Sequence, residues 1–328
     1  MRSLLALLLA SSLGCGDDAT ADTDPGEDLG APDADAPDAD ADADADAGAP
    51  VNPLLGIGEV EAVQGDFLFI EGPLWRPDDG VLLFSDLNGD TIYALTPPST
   101  IAPFRNPSAF ANGLASLPDG RLLAAEHGAR RVSVTDAEGT VTDFAATDAM
   151  GRTFNSPNDI AVRSDGTVYF TDPPYGLAGR TREIPFNGVY RVAPDGTVSE
   201  VWQSTELVQR PNGVALSPDE SVLYVADTED ALIRRFDVAA DGSTSGEATF
   251  VTGTRGADGL AVDRVGNVYV AISAGVQVIA PDGTRWGMID VPERPANCAF
   301  GGDDLRTLYI TAQTTLYRVS VTIPGDGG

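Results

Sequence analysis

One short phrase of residues is written six times along this chain, and it limits what the chain can fold into. A polar residue opens a small apolar strand, a tight turn follows, and a second strand answers it. In the third copy, Asn155-Ser-Pro-Asn-Asp159 leads into an apolar strand, turns at Asp165-Gly166 and returns through Thr167-Val-Tyr-Phe-Thr-Asp172. The other copies begin at Glu71-Gly-Pro-Leu-Trp75, Asn112-Gly-Leu-Ala115, Asn212-Gly-Val-Ala215, Asp258-Gly-Leu-Ala261 and Asn297-Cys-Ala-Phe300. Their lead residues are Glu71, Asn112, Asn158, Asn212, Asp258 and Asn297, at steps of 41, 46, 54, 46 and 39 positions. A repeat of roughly 45 residues made of short strands marks a stacked array, because a single unit is too small to bury a core of its own. The expected fold is therefore all-β: a six-bladed β-propeller with six carboxylate or carboxamide side chains around one channel.

Counting strands supports a ring. Hairpin signals at Asp165-Gly166 and Asp195-Gly196 divide the third unit into strands at 159–162, 167–171, 188–193 and 197–203. The sixth unit offers only three, at 298–300, 307–311 and 316–321, while a spare strand at 58–63 precedes the first unit. Pairing the spare strand with the last one would close the ring by an N-terminal strand in the last blade and cover an open edge. No long amphipathic helix is expected.

The chain opens with one positive charge, a short apolar run and small residues before Cys15, in Met1-Arg-Ser-Leu-Leu-Ala-Leu-Leu-Leu-Ala-Ser-Ser-Leu-Gly-Cys15. This reads as a secretory signal too short to span a bilayer. The placement of Cys15 resembles a bacterial lipoprotein cleavage site, although Ser12 stands where Leu is usual. Residues 1–15 are thus expected to be a lipoprotein-type signal peptide, with export to the periplasm or cell surface and a lipid anchor on Cys15 as the sole membrane attachment. Thirteen acidic residues and no basic ones lie between Gly16 and Pro50, so 16–52 is expected to be a disordered Asp/Ala-rich linker. Residues 53–324 are then the propeller.

Of the net charge of −30, the linker acids and Arg2 carry −12, which leaves −18 on the domain. All 20 basic residues are Arg. Nucleic acid is excluded as a partner, because phosphate binding needs a positive footprint. The two cysteines are Cys15 and Cys298, so no intrachain disulfide is expected, and Cys298 reads as a small buried apolar side chain. The Arg130-Arg131 pair reads as a solvated strand start.

The lead residues admit two readings. Asn-Gly and Asp-Gly at a strand entrance can be turn residues, since both tolerate left-handed backbone. Glu71 is not a favoured turn residue, however, and Asn158 is followed by Asp. The functional reading is a hard cation. Glu71 and Asp258 would neutralise a divalent charge, and Asn158 and Asn212 would add neutral oxygens. An all-oxygen set favours calcium or magnesium over zinc. Such an ion could polarise an ester carbonyl, with a neighbouring carboxylate as general base.

In order along residues 57–322, these motifs resemble the senescence marker protein/gluconolactonase/regucalcin family, and within it the bacterial gluconolactonase branch. The resemblance rests on Glu71-Gly-Pro-Leu-Trp75, Ala125-Glu-His-Gly-Ala-Arg-Arg-Val132, Asn155-Ser-Pro-Asn-Asp159, Phe170-Thr-Asp-Pro-Pro-Tyr-Gly-Leu177, Pro211-Asn-Gly-Val-Ala-Leu-Ser-Pro-Asp219 and Asp258-Gly-Leu-Ala-Val-Asp263. It implies one divalent cation in the channel, commonly Ca2+ with Mg2+, Mn2+ or Zn2+ as alternatives, held by Glu71, Asn158, Asn212 and Asp258. It implies that Asp258 doubles as base or nucleophile, and that the reaction is hydrolysis of a small-molecule sugar lactone. Gly151-Arg152-Thr153 departs from the Gly-Lys-Arg usual in that branch.

His127, the single histidine, is a second catalytic candidate that would orient substrate or shuttle a proton, with a structural role as the alternative. Asn112, Asp159 and Tyr175 are candidates for substrate contact. A monomer is expected. Two other functions fit the same scaffold: an organophosphate or aryl-ester hydrolase using the same metal site, and a non-enzymatic binding module.

Overall fold

The computed structural model describes residues 51–206 and 209–327. The signal segment, Cys15 and the acidic stretch to Pro50 lie outside the described residues. The described chain forms six four-stranded antiparallel sheets, each running from an inner to an outer strand. The six blades are those of a β-propeller. The first four begin with inner strands Ile70–Arg76, Ala111–Ser116, Ile160–Val162 and Pro211–Leu216, and the last two with Leu260–Val262 and Asn297–Gly301. One 3-10 turn, Tyr175–Leu177, is the only helical element among the described residues.

The sequence explains the layering. Second strands such as Leu122–Glu126, Val168–Asp172 and Val268–Ile272 are buried at every position, because blades pack against both of their faces. They read as apolar runs, with no alternation. Outer strands such as Thr100–Arg105 and Thr244–Thr252 are largely exposed, and the second of these reads mostly as polar. The core lies between blades; one cluster joins Phe154, Phe170 and Tyr190 of blade three to Leu123, Val132 and Val134 of blade two.

The last blade is closed as expected. Glu61–Gln64 forms its outer strand, pairing antiparallel with Thr315–Ser320 through Glu61 opposite Arg318, Ala62 opposite Tyr317 and Gln64 opposite Leu316. Gly58 adds a hydrogen bond from its amide to the Ser320 carbonyl, and Arg318 forms an ion pair with Glu61.

The glycines that follow Asn112, Asn212 and Asp258 have a different purpose from the turn reading. Gly113, Gly213 and Gly259 are not in left-handed backbone; they sit where adjacent blades nearly touch at the axis. A Cβ on Gly213 would stand 2.2 Å from the Asp258 carbonyl oxygen, one on Gly113 2.7 Å from the Asn158 carbonyl oxygen, and one on Gly259 1.9 Å from the Asn297 side chain. The close approach lets inner strands hydrogen-bond directly: Gly113 N donates to Asn158 O, Gly213 N to Asp258 O and Gly259 N to Ala296 O.

The Arg130-Arg131 pair also differs from expectation. The Arg130 guanidinium donates to the Phe154 and Asn155 carbonyls of the next blade. Arg131 pairs at 2.8 Å with Glu126, a buried carboxylate that Arg105 and Ser133 also engage. A buried acid at the end of a strand draws these cations inward, because a charge without partners there is costly.

Two outcomes test this architecture. Deleting residues 16–50 should leave the melting temperature nearly unchanged, whereas deleting through Gly65 should unfold the domain; equal stability of the two truncations would refute closure by the N-terminal strand. Gly213→Ala should destabilise by about 1–3 kcal/mol in urea titration, since the added methyl forces blades four and five apart. A Gly213→Ala protein as stable as the parent would show that the axis is not closely packed there.

Candidate active site

Each lead residue stands at the start of an inner strand, at one end of the channel. Glu71, Asn112, Asn158, Asn212 and Asn297 are 3 to 6% exposed, and Asp258 is partly buried. Their placement depends on acids that close the second strands. Asp172 accepts backbone N–H groups from Asn155 and Ser156, at 2.8 and 2.7 Å, and so fixes the segment that presents Asn158. Asp86 holds Leu68 and Phe69 in the same way before Glu71, and Asp227 holds Arg210 before Asn212. Burial pushes the Asp172 carboxyl up to about 7, against the pull of those amides. The sequence carries this signal openly, since an acid ends the second strand in each of these copies, but read alone it looks like the start of a turn.

The carboxamides form a chain. Asn112 Nδ2 donates to Asn158 Oδ1 at 2.7 Å, and Asn158 Nδ2 donates to Asn212 Oδ1 at 2.5 Å. Asn212 continues to Thr228 Oγ1 at 3.0 Å, and it also stands close to Asp258, whose proton affinity it lowers. On the other side, Asn297 stands close to Glu71 and opposes the rise in its proton affinity. The structure thus gathers all six leads: Asn112, Asn158 and Asn212 form one hydrogen-bonded run that leads to Asp258, and Asn297 stands beside Glu71.

Those carboxylates strain against each other. Burial raises Glu71 well above the usual carboxylate range, and the charge of Asp258 adds to the rise. Burial lifts Asp258 to about 7; Arg294 opposes this and Asp159 reinforces it. Asp159 is itself raised to about 6 by burial, although Val214 N donates to its Oδ2 at 3.1 Å. That contact crosses from blade three to blade four, so Asp159 ties inner strands together.

His127 lies in the turn after the second strand of blade two. It is buried, with Nε2 3.1 Å from Asn158 Oδ1, and Gly176 packs against its ring. Burial lowers it to about 4, so it is neutral near pH 7. Tyr175 belongs to the long loop between Asp172 and Asn187 of blade three, and its hydroxyl end lies by Thr228 of blade four. The Arg210 guanidinium stands 5.8 Å from the Tyr175 ring centre. Arg152, of the departing Gly151-Arg152-Thr153 triplet, is paired with Asp148. Thr228 and Arg294 escaped the sequence reading because neither lies in the repeated phrase.

The donor set suits a hard dication. Among the described residues, no group of three or more His, Cys, Asp and Glu is placed to hold a metal ion. The oxygens come instead from two acids and from carboxamides, and a carboxamide can turn its oxygen where its nitrogen was with little change of shape. Two neighbouring carboxylates with raised proton affinity are the electrostatic complement of a double positive charge.

The sequence profile of the SMP-30/Gluconolactonase/LRE-like region matches residues 69–314. A gluconolactonase of Zymomonas mobilis is 33% identical over 290 residues, 79% of this chain and 80% of its own length. Pentonolactonase XacC of Haloferax volcanii is 29% identical over 251 residues, 74% of this chain and 80% of its own. The solved structure of a gluconolactonase from Xanthomonas campestris matches with a TM-score of 0.76 at 31% identity, covering 83% of this chain and 92% of that one. A profile that spans most of the propeller, from just before Glu71 to beyond Asn297, means that this chain belongs to the SMP-30/gluconolactonase/LRE-like family.

Proposed function

We propose that this protein is a lactonase that hydrolyses a sugar lactone with a divalent cation, calcium first among the candidates, held by Glu71, Asn158, Asn212 and Asp258. The observation that carries the reading is the meeting of two buried, mutually repelling carboxylates with a chain of carboxamides at one end of the channel. The names of the relatives support the reaction class, and the donor chemistry supports the ion. When bound, the cation supplies Lewis acidity toward the lactone carbonyl.

The chain's own groups divide the remaining work. Asp258, with its basicity raised and part of its surface open, is the base or nucleophile; as a base it takes the proton of an attacking water. Glu71 is held by Asn297 and by the Gly72 amide and contributes charge without moving a proton. Neutral His127 donates its Nε2 hydrogen to Asn158 Oδ1, which aims Asn158 Nδ2 at Asn212; this is a positioning role. Asn112 pins the same oxygen from the other side.

Glu71→Gln should weaken metal binding in calorimetry and regain much of its lactonase activity in excess calcium. Asp258→Asn should still bind metal but lose turnover roughly 100-fold or more at saturating metal, the loss expected for a missing general base. If Asp258→Asn recovers with excess metal, Asp258 is a ligand only. If no sugar lactone is hydrolysed with any divalent ion in a pH-indicator screen, the lactonase reading fails.

We also infer that the protein is exported and anchored through Cys15, from the sequence of its first fifteen residues. Cys15→Ser should release it from the membrane fraction; wild-type protein recovered soluble with an unmodified N-terminus would count against the anchor.

A further inference from the structure

Two arginines in the loops on either side of blade five form no ion pair among the described residues. Arg255 lies in the loop that enters blade five, and Arg294 in the loop between blades five and six. Among the described residues, neither side chain has a hydrogen bond or ion pair, whereas Arg76, Arg105, Arg131, Arg152 and Arg234 are each matched to a carboxylate. The adjacent Glu293 does not serve Arg294, because its carboxylate is held by Thr314 and Thr315.

Arg294 comes close to Gly256, two residues before Asp258, and Arg255 precedes that glycine in the chain. A Cβ on Gly256 would stand 3.3 Å from Arg294 Nη2 and 2.3 Å from Ser273 Oγ, so a missing side chain lets this backbone approach both groups. The Arg255 carbonyl in turn accepts the Ser273 amide, which fixes the turn that carries the hydroxyl. Arg255, Ser273 and Arg294 are all exposed. Arg294 is also near enough to Asp258 to be the foremost influence holding down the proton affinity of that buried carboxyl.

An exposed cation beside the site, with no ion pair of its own, is out of character for this domain, which carries about −18 and repels anions at long range. A neutral lactone needs no such device. An anionic lactone does, and a guanidinium fork suits a carboxylate or phosphate.

We propose that Arg294, with Arg255 and Ser273, forms an anion subsite at the channel mouth, and that the preferred substrate is a sugar lactone with a second, negatively charged group remote from the ring carbonyl. This rests on the lactonase reading and narrows it to a substrate class. The charged group can be a carboxylate or a phosphate, and the test separates them.

In one arm, kcat/KM is measured with saturating calcium for glucono-1,5-lactone, for its 6-phosphate and for the corresponding 6-carboxylate lactone. The ratio of the better anionic substrate to the neutral one should exceed one in the wild type. It should fall about tenfold or more in Arg294→Gln, the loss of one charge-assisted contact, and be partly kept in Arg294→Lys. Using a ratio removes any effect of Arg294 on Asp258, which both substrates share. Whichever anion shows the larger fall identifies the source. In the second arm, calorimetry compares the open-chain products gluconate, 6-phosphogluconate and glucarate as ligands, and needs no turnover. Neutral lactone turnover with no anionic preference, and a ratio unmoved by Arg294→Gln, would overturn the subsite and leave the lactonase reading standing. Tighter binding of a doubly anionic product, abolished by Arg294→Gln, with no lactone turnover at all, would sustain the subsite and overturn the lactonase reading. Equal binding of all three products by wild type and variant overturns the subsite whatever the kinetics show.

Discussion

The closeness of the inner strands at the axis is the constraint on which the rest of the molecule depends. At Gly113, Gly213 and Gly259 the backbone of one blade meets the backbone or lead side chain of the next, with no room for a methyl group. Amide-to-carbonyl bonds across these seams satisfy backbone groups that would otherwise face a channel too narrow for neighbouring strands. The same seams set the spacing of the lead side chains. Asn112, Asn158 and Asn212 can hydrogen-bond in sequence because their blades meet this closely. Packing and chemistry therefore share one geometry: a change that widened the axis would separate the oxygens as well as the blades.

Electrostatics makes that geometry costly to hold. Glu71, Asp159 and Asp258 are buried near one another, and burial is the main reason that each has a raised proton affinity. Arg294, the cation that acts on Asp258, is too exposed to neutralise the group. The molecule keeps these acids in place with backbone: the Asp172, Asp86 and Asp227 caps anchor the segments before three of the leads, and the Val214 amide holds Asp159. Acids packed in this way cost stability unless an opposite charge offsets them, which is the part the proposed cation would play.

Much of this was legible in the sequence, for a physical reason. A propeller repeats one packing problem six times, so the solution is written six times, and the period, the six leads and the missing strand of the last unit can be read without a structure. The leads stand out because a polar residue at the mouth of an apolar strand breaks the local pattern. What stayed hidden depends on contact between units. Nothing in Asn-Gly itself distinguishes a turn glycine from one crowded by the next blade, and Gly213 shows which only when Asp258 is beside it. Arg130 looked solvated because the Phe154 carbonyl reaches it from the next blade, and Arg131 because nothing local shows that Glu126, directly opposite it in the hairpin, is buried. Arg294 and Thr228 lie in connecting loops, where sequence periodicity carries no information.

The outer strand of the last blade has a consequence for the order of events in the cell. Glu61–Gln64 is made before any blade, and its partner Thr315–Ser320 is made after nearly all of them. During synthesis the two halves of that blade are separated by the whole ring, so the earliest strand waits unpaired while five blades assemble. Contacts between residues so far apart form slowly. Until the last strand emerges, the early strand can be captured by another chain's blade, which would yield strand-exchanged dimers with native blades. The join that completes the ring is thus also the point at which two rings could be linked.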